Sequence, residues 1–155
     1  MKKGLFFRKA KLSDANELSE LRRGVFGRIP GENYNKKLIK VLIEGYSPRW
    51  LRKQIKKYPT FCLRKKKEII GSVSLDKSEI KGVFVKYSYV RKGVGTKLMN
   101  FIENYARKKG LKKVRLWSAG KAKGFYEKLG YKTLRKVKYS FRGARNVNFV
   151  MEKKL

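Results

Sequence analysis

The sequence predicts a single α/β domain of the α+β type, with a mixed, mostly antiparallel sheet, one parallel crossover and flanking helices. After Pro59, three segments with alternating apolar residues follow one another through very short links, which is typical of an antiparallel meander. A strand, a glycine turn, a helix and another strand come next, and such a unit pairs its two strands in parallel. At this length we expect residues 1–155 to form one domain.

The chain opens with a predicted strand at 5–8, followed by a helix. Apolar residues recur at helical spacing from Ala15 to Val25, and Glu17 is expected to reach back to the amide of Asp14 as a cap. Three residues are expected to end this helix: Gly27, Pro30 and Gly31.

Two more helices are predicted before Pro59. One spans 34–46, and Pro48 opens the other, which spans 48–58. Helical spacing places the cations of the second on one face, which either grips an anionic partner or is simply solvated. These cations are Arg49, Arg52, Lys53, Lys56 and Lys57.

The second half alternates between strands and helices. The meander strands are predicted at 60–64, 68–76 and 79–87, a helix runs from Val94 to about Lys109, and a crossover strand follows at 113–118. The remaining elements are a short helix around Phe125 and Tyr126 that Gly130 ends, and a terminal hairpin of strands 131–141 and 146–153 around the turn at Arg142 and Gly143.

The composition restricts the possible functions. Forty-three Lys and Arg against 11 Asp and Glu give a net charge of +32, which attracts the phosphates of a nucleotide cofactor, a nucleic acid or a membrane surface alike. Histidine is absent, so Ser-His-Asp and Cys-His catalysis are excluded in their usual forms. The lone Cys62 forms no intramolecular disulfide or zinc cluster and is interpreted as a buried strand residue.

No segment has the composition of a membrane span. The longest run without Lys, Arg, Asp or Glu is the seven residues from Ile69 to Leu75, which is too short for a transmembrane helix or a signal-peptide core. We therefore expect a cytoplasmic protein.

The turn between the third meander strand and the helix predicts a phosphate cradle. Gly93 and Gly95 let the backbone approach a ligand, and the unpaired N–H groups of the first helical turn point towards it. With 14 glycines in the chain, about one Gly-x-Gly is expected by chance, so the context of the motif carries the prediction.

Four segments, in this order and spacing, resemble the GNAT superfamily of acetyl-CoA-dependent N-acetyltransferases: FRKAKLSDANELSEL, VRKGVGTKL, AKGFYEKLGYK and NFVMEKKL. The resemblance spans nearly the whole chain and implies acetyl-CoA as cosubstrate, with no metal. Two positions depart from the family pattern. Val90 stands where Gln or Arg is usual at the glycine turn, and Ala119 stands where many members have Asn.

The resemblance also implies a set of cofactor-binding residues. Backbone amides around the glycine turn would bind the CoA pyrophosphate, Arg91 would replace the missing side chain at Val90, and the strand before the turn would pair with the pantetheine arm. The implied residues are Val83, Phe84, Val85, Arg91, Lys92, Gly93, Val94, Gly95, Thr96, Ala119 and Tyr126.

Two residues are candidates for catalysis. Tyr126 matches the tyrosine that commonly protonates the departing thiolate in the family; otherwise it is a core aromatic. Glu79 lies 14 residues before Gly93, as the general base of the histone-acetyltransferase branch does; otherwise it pairs with a nearby lysine. An amide near Val85 is the candidate donor to the developing oxyanion.

Two functions of different classes are consistent with the sequence. The main hypothesis is transfer of acetyl from acetyl-CoA to a primary amine by direct attack, on a small molecule or a protein. The alternative is a GNAT-like protein that binds nucleic acid or the ribosome through its basic surface and has weak or no transferase activity. The charge of +32 disfavours attraction of a polycationic acceptor. The sequence leaves the acceptor and the oligomeric state open.

Overall fold

The structure is a computed structural model that describes residues 4–26, 36–141 and 143–155. The described residues form a seven-stranded sheet and five α-helices. The strands are β1 (Leu5–Lys9), β2 (Thr60–Lys65), β3 (Glu68–Asp76), β4 (Glu79–Val85), β5 (Lys113–Ala119), β6 (Lys132–Phe141) and β7 (Ala144–Lys154). The helices are α1 (Ala15–Phe26), α2 (Lys36–Gly45), α3 (Pro48–Lys57), α4 (Val94–Lys108) and α5 (Lys123–Lys128).

The sheet confirms the predicted fold class. Its strand order is β1-β2-β3-β4-β5-β7-β6, with β4 and β5 parallel and every other neighbouring pair antiparallel. The antiparallel meander and the β4–α4–β5 crossover are therefore both present. The terminal hairpin adds to the sheet through β7, which leaves β6 at the edge.

The parallel pair β4–β5 is short. Only Glu79 with Arg115 and Ile80 with Leu116 are paired, although β4 continues to Val85 and β5 to Ala119. The two strands therefore separate in the middle of the sheet. On the other side of β4, the register with β3 shifts between Ser72 and Ser74, so that β4 carries a bulge.

Two groups of buried residues hold the sheet. Leu98, Met99 and Ile102 of α4 pack on one face, because their helical spacing places them on a single side. The other face is covered by α1 and α3, whose Leu18 and Leu51 pack against β2 and β3.

Cys62 is fully buried in this second group, in agreement with its interpretation as a core residue. Burial raises the pKa of its thiol to about 12, so the thiol stays protonated and is a poor nucleophile.

The predicted cap of the first helix is wrong. Residues Leu12–Asp14 form a 3₁₀ turn ahead of α1, and the Asp14 carboxylate accepts a hydrogen bond from the Lys11 amide at 2.7 Å and pairs with Arg8. Glu17 instead accepts a hydrogen bond from the Ile69 amide at 2.7 Å, because α1 packs beside the start of β3. A local cap is thus replaced by a tertiary contact.

Smaller differences concern element ends. The strand predicted to reach Tyr87 ends at Val85, where a 3₁₀ turn follows. The predicted helix-ending residues Gly27, Pro30 and Gly31, and the predicted helix start at Tyr34, lie outside the described residues, as does Arg142 of the hairpin turn. No described helix combines the length and the apolar character needed to cross a membrane.

Candidate active site

A cavity of about 640 Å³ lies where β4 and β5 separate. Its volume is in the range of small-molecule sites. Residues of β4 from Glu79 to Val85 form one wall and residues of β5 from Leu116 to Ala119 another, and side chains from the first three helices close a third side. Beyond their short paired stretch, the two strands are thus separated by a space large enough for a ligand.

Tyr126 of α5 lines this cavity. It is 8% exposed, and the rings of Phe125 and Tyr131 contact it edge-on. Burial raises the pKa of its phenol to about 12. The phenol is therefore neutral at physiological pH, which is the form that donates a proton.

Glu79 lines the same cavity from the first position of β4. Its Oε2 lies 3.3 Å from the ammonium of Lys81, which also contacts Asp76 at 3.0 Å. The carboxylate is thus partly paired with a lysine and also open to the cavity. The fold brings together Glu79 and Tyr126, which are 47 positions apart in the sequence.

The glycine turn has the backbone form of an anion-binding loop. Arg91 and Gly93 both have positive φ, 63° and 82°, and Gly93 is the N-cap of α4. No side chain caps this helix start, and the Lys97 amide is bonded to the Gly93 carbonyl at 3.2 Å. The amides of the first turn before Lys97 are thus free of a capping side chain.

The side chains of the predicted cradle are mostly exposed. Arg91, Lys92 and Thr96 face solvent, and the Lys92 ammonium lies 5.6 Å from the ring centre of Tyr89. Val94 is buried as the first residue of α4. Any recognition by this turn therefore combines backbone amides with two solvated cations.

The two glycines of the turn have different roles. A Cβ on Gly93 would meet nothing within 4 Å, so glycine is favoured there by the left-handed backbone conformation and not by a lack of space. A Cβ on Gly95 would lie 3.1 Å from the ring of Phe125, so this glycine lets α5 pack closely against α4. Sequence reasoning had assigned both glycines to ligand approach.

The other residues predicted to contact the cofactor line the cavity. Val83, Phe84 and Val85 line it where β4 has lost its pairing with β5, and Ala119 lines it at the end of β5. Val90, which stands at the departure from the family pattern, also lines the cavity and is half-exposed.

Sequence reasoning missed Arg22 of α1. This arginine lines the cavity but is only 4% exposed. Its guanidinium carbon lies 4.7 Å from the ring centre of Phe84, 5.4 Å from that of Tyr46 and 5.7 Å from that of Trp50. Burial lowers the pKa of the group, and its Nε has no hydrogen-bond partner.

Gly82 makes room for this guanidinium. Gly82 lies in the β4 bulge with φ of +60°, and a Cβ there would lie 2.7 Å from an Nη atom of Arg22. The sequence contains one indication of this arrangement: Arg22 is four residues after Leu18 and therefore falls on the apolar face of its helix. A cation on that face is more often exposed at an edge than buried, so spacing alone does not identify it.

Polar groups from the terminal hairpin complete the wall. Tyr139 accepts hydrogen bonds from the side-chain amides of Asn146 and Asn148 at 2.8 and 3.1 Å, and all three line the cavity. Trp117 of β5 packs edge-on against the Tyr139 ring.

Across the described part of the chain, no cluster of His, Cys, Asp and Glu is suited to a metal ion.

A protein-family model and solved structures match this chain. The family model described as an acetyltransferase (GNAT) domain matches residues 31–154. The crystal structure of a GCN5-related N-acetyltransferase from Rhodopseudomonas palustris superposes with a TM-score of 0.92 at 19% identity, covering 100% of this chain and 98% of that one. PaiA N-acetyltransferase from Thermoplasma acidophilum, solved with coenzyme A, superposes with a TM-score of 0.78 at 22% identity, covering 97% and 99%.

A curated relative matches a shorter segment. It is probable N-acetyltransferase 14 of Xenopus tropicalis, 36% identical over an alignment of 74 residues, and the match covers 42% of this chain. The matched segment spans 36% of the length of that relative.

Proposed function

The chain belongs to the acetyltransferase (GNAT) domain family, and from this membership we propose that it transfers acetyl from acetyl-CoA to a primary amine by direct attack. We take residues 1–155 as one catalytic domain. The family supports an acyl-CoA cosubstrate. The observation that carries the finer proposal is the cavity between β4 and β5, which Glu79 and Tyr126 both line.

The residues present fit a CoA thioester. The uncapped first turn of α4, with Arg91 and Lys92 beside it, would hold the pyrophosphate through backbone amides and positive charge. The unpaired stretch of β4 from Val83 to Val85 offers backbone groups to the amides of the pantetheine arm, as a strand edge offers them to a peptide. Acetyl-CoA would supply the activated acyl group.

Acetyl transfer breaks one carbon–sulfur bond and forms one carbon–nitrogen bond. Glu79 takes a proton from the amine, directly or through a water molecule, so that nitrogen can attack the thioester carbon. An amide near Val85 donates to the oxygen on which charge develops. Tyr126 donates its proton to the departing thiolate, and its buried neutral phenol suits this role. Cys62 takes no part, since it is buried and protonated.

Calorimetric titration with acetyl-CoA, combined with detection of released thiol in the presence of amines, tests this function. We expect binding of acetyl-CoA and amine-dependent thiol release. Failure to bind at millimolar acetyl-CoA would refute the proposal.

Tyr126→Phe tests the proton donor. We expect turnover to fall by about 100-fold, since general acid catalysis contributes roughly 10²–10⁴-fold, while the Kd for acetyl-CoA changes by less than about twofold. Tyr105→Phe, on the α4 side of the core and outside the cavity lining, is the matched control. An unchanged turnover in Tyr126→Phe would remove this residue from the mechanism.

A further inference from the structure

Arg22 places at the wall of the cavity a positive charge that no described residue balances. The guanidinium remains protonated at any ordinary pH. No described residue provides it with an ion pair or a hydrogen bond, and its Nε is buried without a partner. An isolated buried charge is strongly unfavourable unless an anion accompanies it. A ligand that brings an anion into the cavity would remove this penalty.

The surroundings of Arg22 hold the cation but leave its donors unused. Phe84, Tyr46 and Trp50 attract it through their ring faces, and these rings accept no conventional hydrogen bond from its N–H groups. The missing side chain at Gly82 lets an Nη atom lie against the β4 bulge. The side chain is thus fixed by packing at the cavity wall, and its N–H groups make no hydrogen bond with a described residue.

We propose that the acceptor is a small amine that also carries a carboxylate, and that Arg22 binds this carboxylate. The planar fork of a guanidinium matches the two oxygens of a carboxylate. This inference rests on the proposed acetyl transfer, and it names the acceptor class for that same site.

The position of Glu79 supports an acceptor with both groups. Glu79 lies three residues before Gly82 on the same strand and lines the same cavity. The carboxylate of Glu79 on β4 and the guanidinium of Arg22, which reaches from α1 to Gly82 of β4, can receive the amine and the carboxylate of one molecule. The cavity of about 640 Å³ fits a molecule of amino-acid size.

The total charge of the protein favours the same class. A net charge of +32 repels polyamines, whereas an amine that carries a carboxylate is neutral or anionic overall. Arg22 adds to this selection at short range, because a second cation on the acceptor would have to lie beside a buried guanidinium.

Matched pairs of acceptors test the proposal. Each pair consists of an L-amino acid and its carboxamide, which keeps the amine and removes the charge. At saturating acetyl-CoA we expect kcat/KM, followed by thiol release, to favour the acid by at least about 50-fold, because the amide would leave the buried guanidinium without an anion. Polyamines are expected to be poorer still.

Two variants assign the preference to Arg22. Arg22→Met is expected to reduce kcat/KM for the acid by about 100-fold, to bring the acid and amide within about fivefold of each other, and to leave the Kd for acetyl-CoA within twofold. Arg22→Lys, which keeps the charge and loses the fork, is expected to retain an intermediate preference. Arg52→Met removes one exposed cation from α3 and serves as the charge-matched control.

A measurement on the unaltered protein covers the case in which Arg22→Met does not fold. Deaminated acids of the same chain length are expected to compete with the acceptor, and their amides are not. Equal rates with acids, amides and polyamines would overturn the inference and leave acetyl transfer intact. Loss of acetyl-CoA affinity in Arg22→Met would also overturn it, by assigning Arg22 to the cofactor side. Absence of acetyl-CoA binding to the unaltered protein would instead refute the proposed function.

Discussion

Two buried charged residues, Glu103 and Arg22, are treated in opposite ways by this fold. Glu103 of α4 is 2% exposed, and its carboxylate accepts hydrogen bonds from the Tyr131 hydroxyl and the Lys153 ammonium, both at 2.8 Å. Arg22 of α1 is as deeply buried, yet no described residue balances its charge.

This difference indicates a structural role for Glu103 and a functional role for Arg22. The partners of Glu103 come from other elements of the same fold, so the group ties α4 to the end of the sheet and is complete without a ligand. Arg22 is surrounded by aromatic rings at a cavity wall, and no anion lies beside it among the residues that the structure describes. We expect substitution of the first residue to lower stability and substitution of the second to alter substrate choice.

The largest expected effect on stability is that of Glu103→Ala. It leaves the Tyr131 hydroxyl and the Lys153 ammonium without their acceptor, and breaking a buried pair costs about 3–5 kcal/mol. Because Lys153 remains partly exposed, we expect the lower end, a loss of about 3 kcal/mol in the free energy of unfolding measured with urea. Glu20→Ala, at an exposed position of α1, is the control, and a loss below about 1 kcal/mol for Glu103→Ala would contradict the comparison.

Tyr126 is buried in its neutral form, and ionising it at high pH tests the rule that a buried charge without a partner lowers stability. The pKa of Tyr126 is raised by burial to about 12, against about 10 in an unfolded chain. The stabilising contribution of this neutral phenol is complete below pH 10 and is lost as pH rises from about 10 to about 12. Over that range the unaltered protein should lose up to roughly 3 kcal/mol more than Tyr126→Phe. Urea unfolding of both proteins across the range measures this, and parallel curves would contradict it.

Gly82→Ala tests whether the space that Gly82 leaves for Arg22 is needed for binding of the acceptor. Its left-handed backbone predicts a loss of about 1–2 kcal/mol, and the new Cβ would also displace the guanidinium. We expect kcat/KM for a carboxylate acceptor to fall by at least tenfold. Gly110→Ala has a similar φ of +85° and open space around the Cβ, so it should match the stability loss with no effect on the acceptor. Equal kcat/KM values for the two variants would show that Gly82 has no role in substrate binding.

The smallest expected stability change is that of Arg22→Met. Removing a buried charge that no described residue balances offsets the loss of its cation–π contacts, so we expect the free energy of unfolding to change by less than about 1 kcal/mol. Thermal and urea unfolding check this beside Glu103→Ala. A loss of more than about 3 kcal/mol would make Arg22 a structural residue like Glu103.

Much of the fold could be predicted because its signals are local. The alternation at 68–76 and the helical pattern from Val94 to about Lys109 depend on neighbouring residues, and both elements lie where they were predicted. The cap assigned to Glu17 was wrong because a strand more than 50 residues away competes for the same carboxylate. The insertion of β7 beside β5 likewise has no local signature.

The candidate site divides in the same way. Glu79, the β4 residues and Tyr126 belong to motifs, and the structure places them around one cavity. The roles assigned to them remain predictions. The packing role of Gly95 could not be read from its motif, since the ring it accommodates belongs to α5.

By itself the sequence determined the elements, the antiparallel meander, the parallel crossover and the resemblance that led to acyl transfer, because each rests on spacing within short segments. Only the tertiary structure decided that β4 and β5 separate to form a cavity and that Arg22 lies at its wall with no counter-ion among the described residues. Whether a charge is buried, and whether it is balanced, depends on which distant residues surround it. That arrangement exists only once the helices have packed on the sheet.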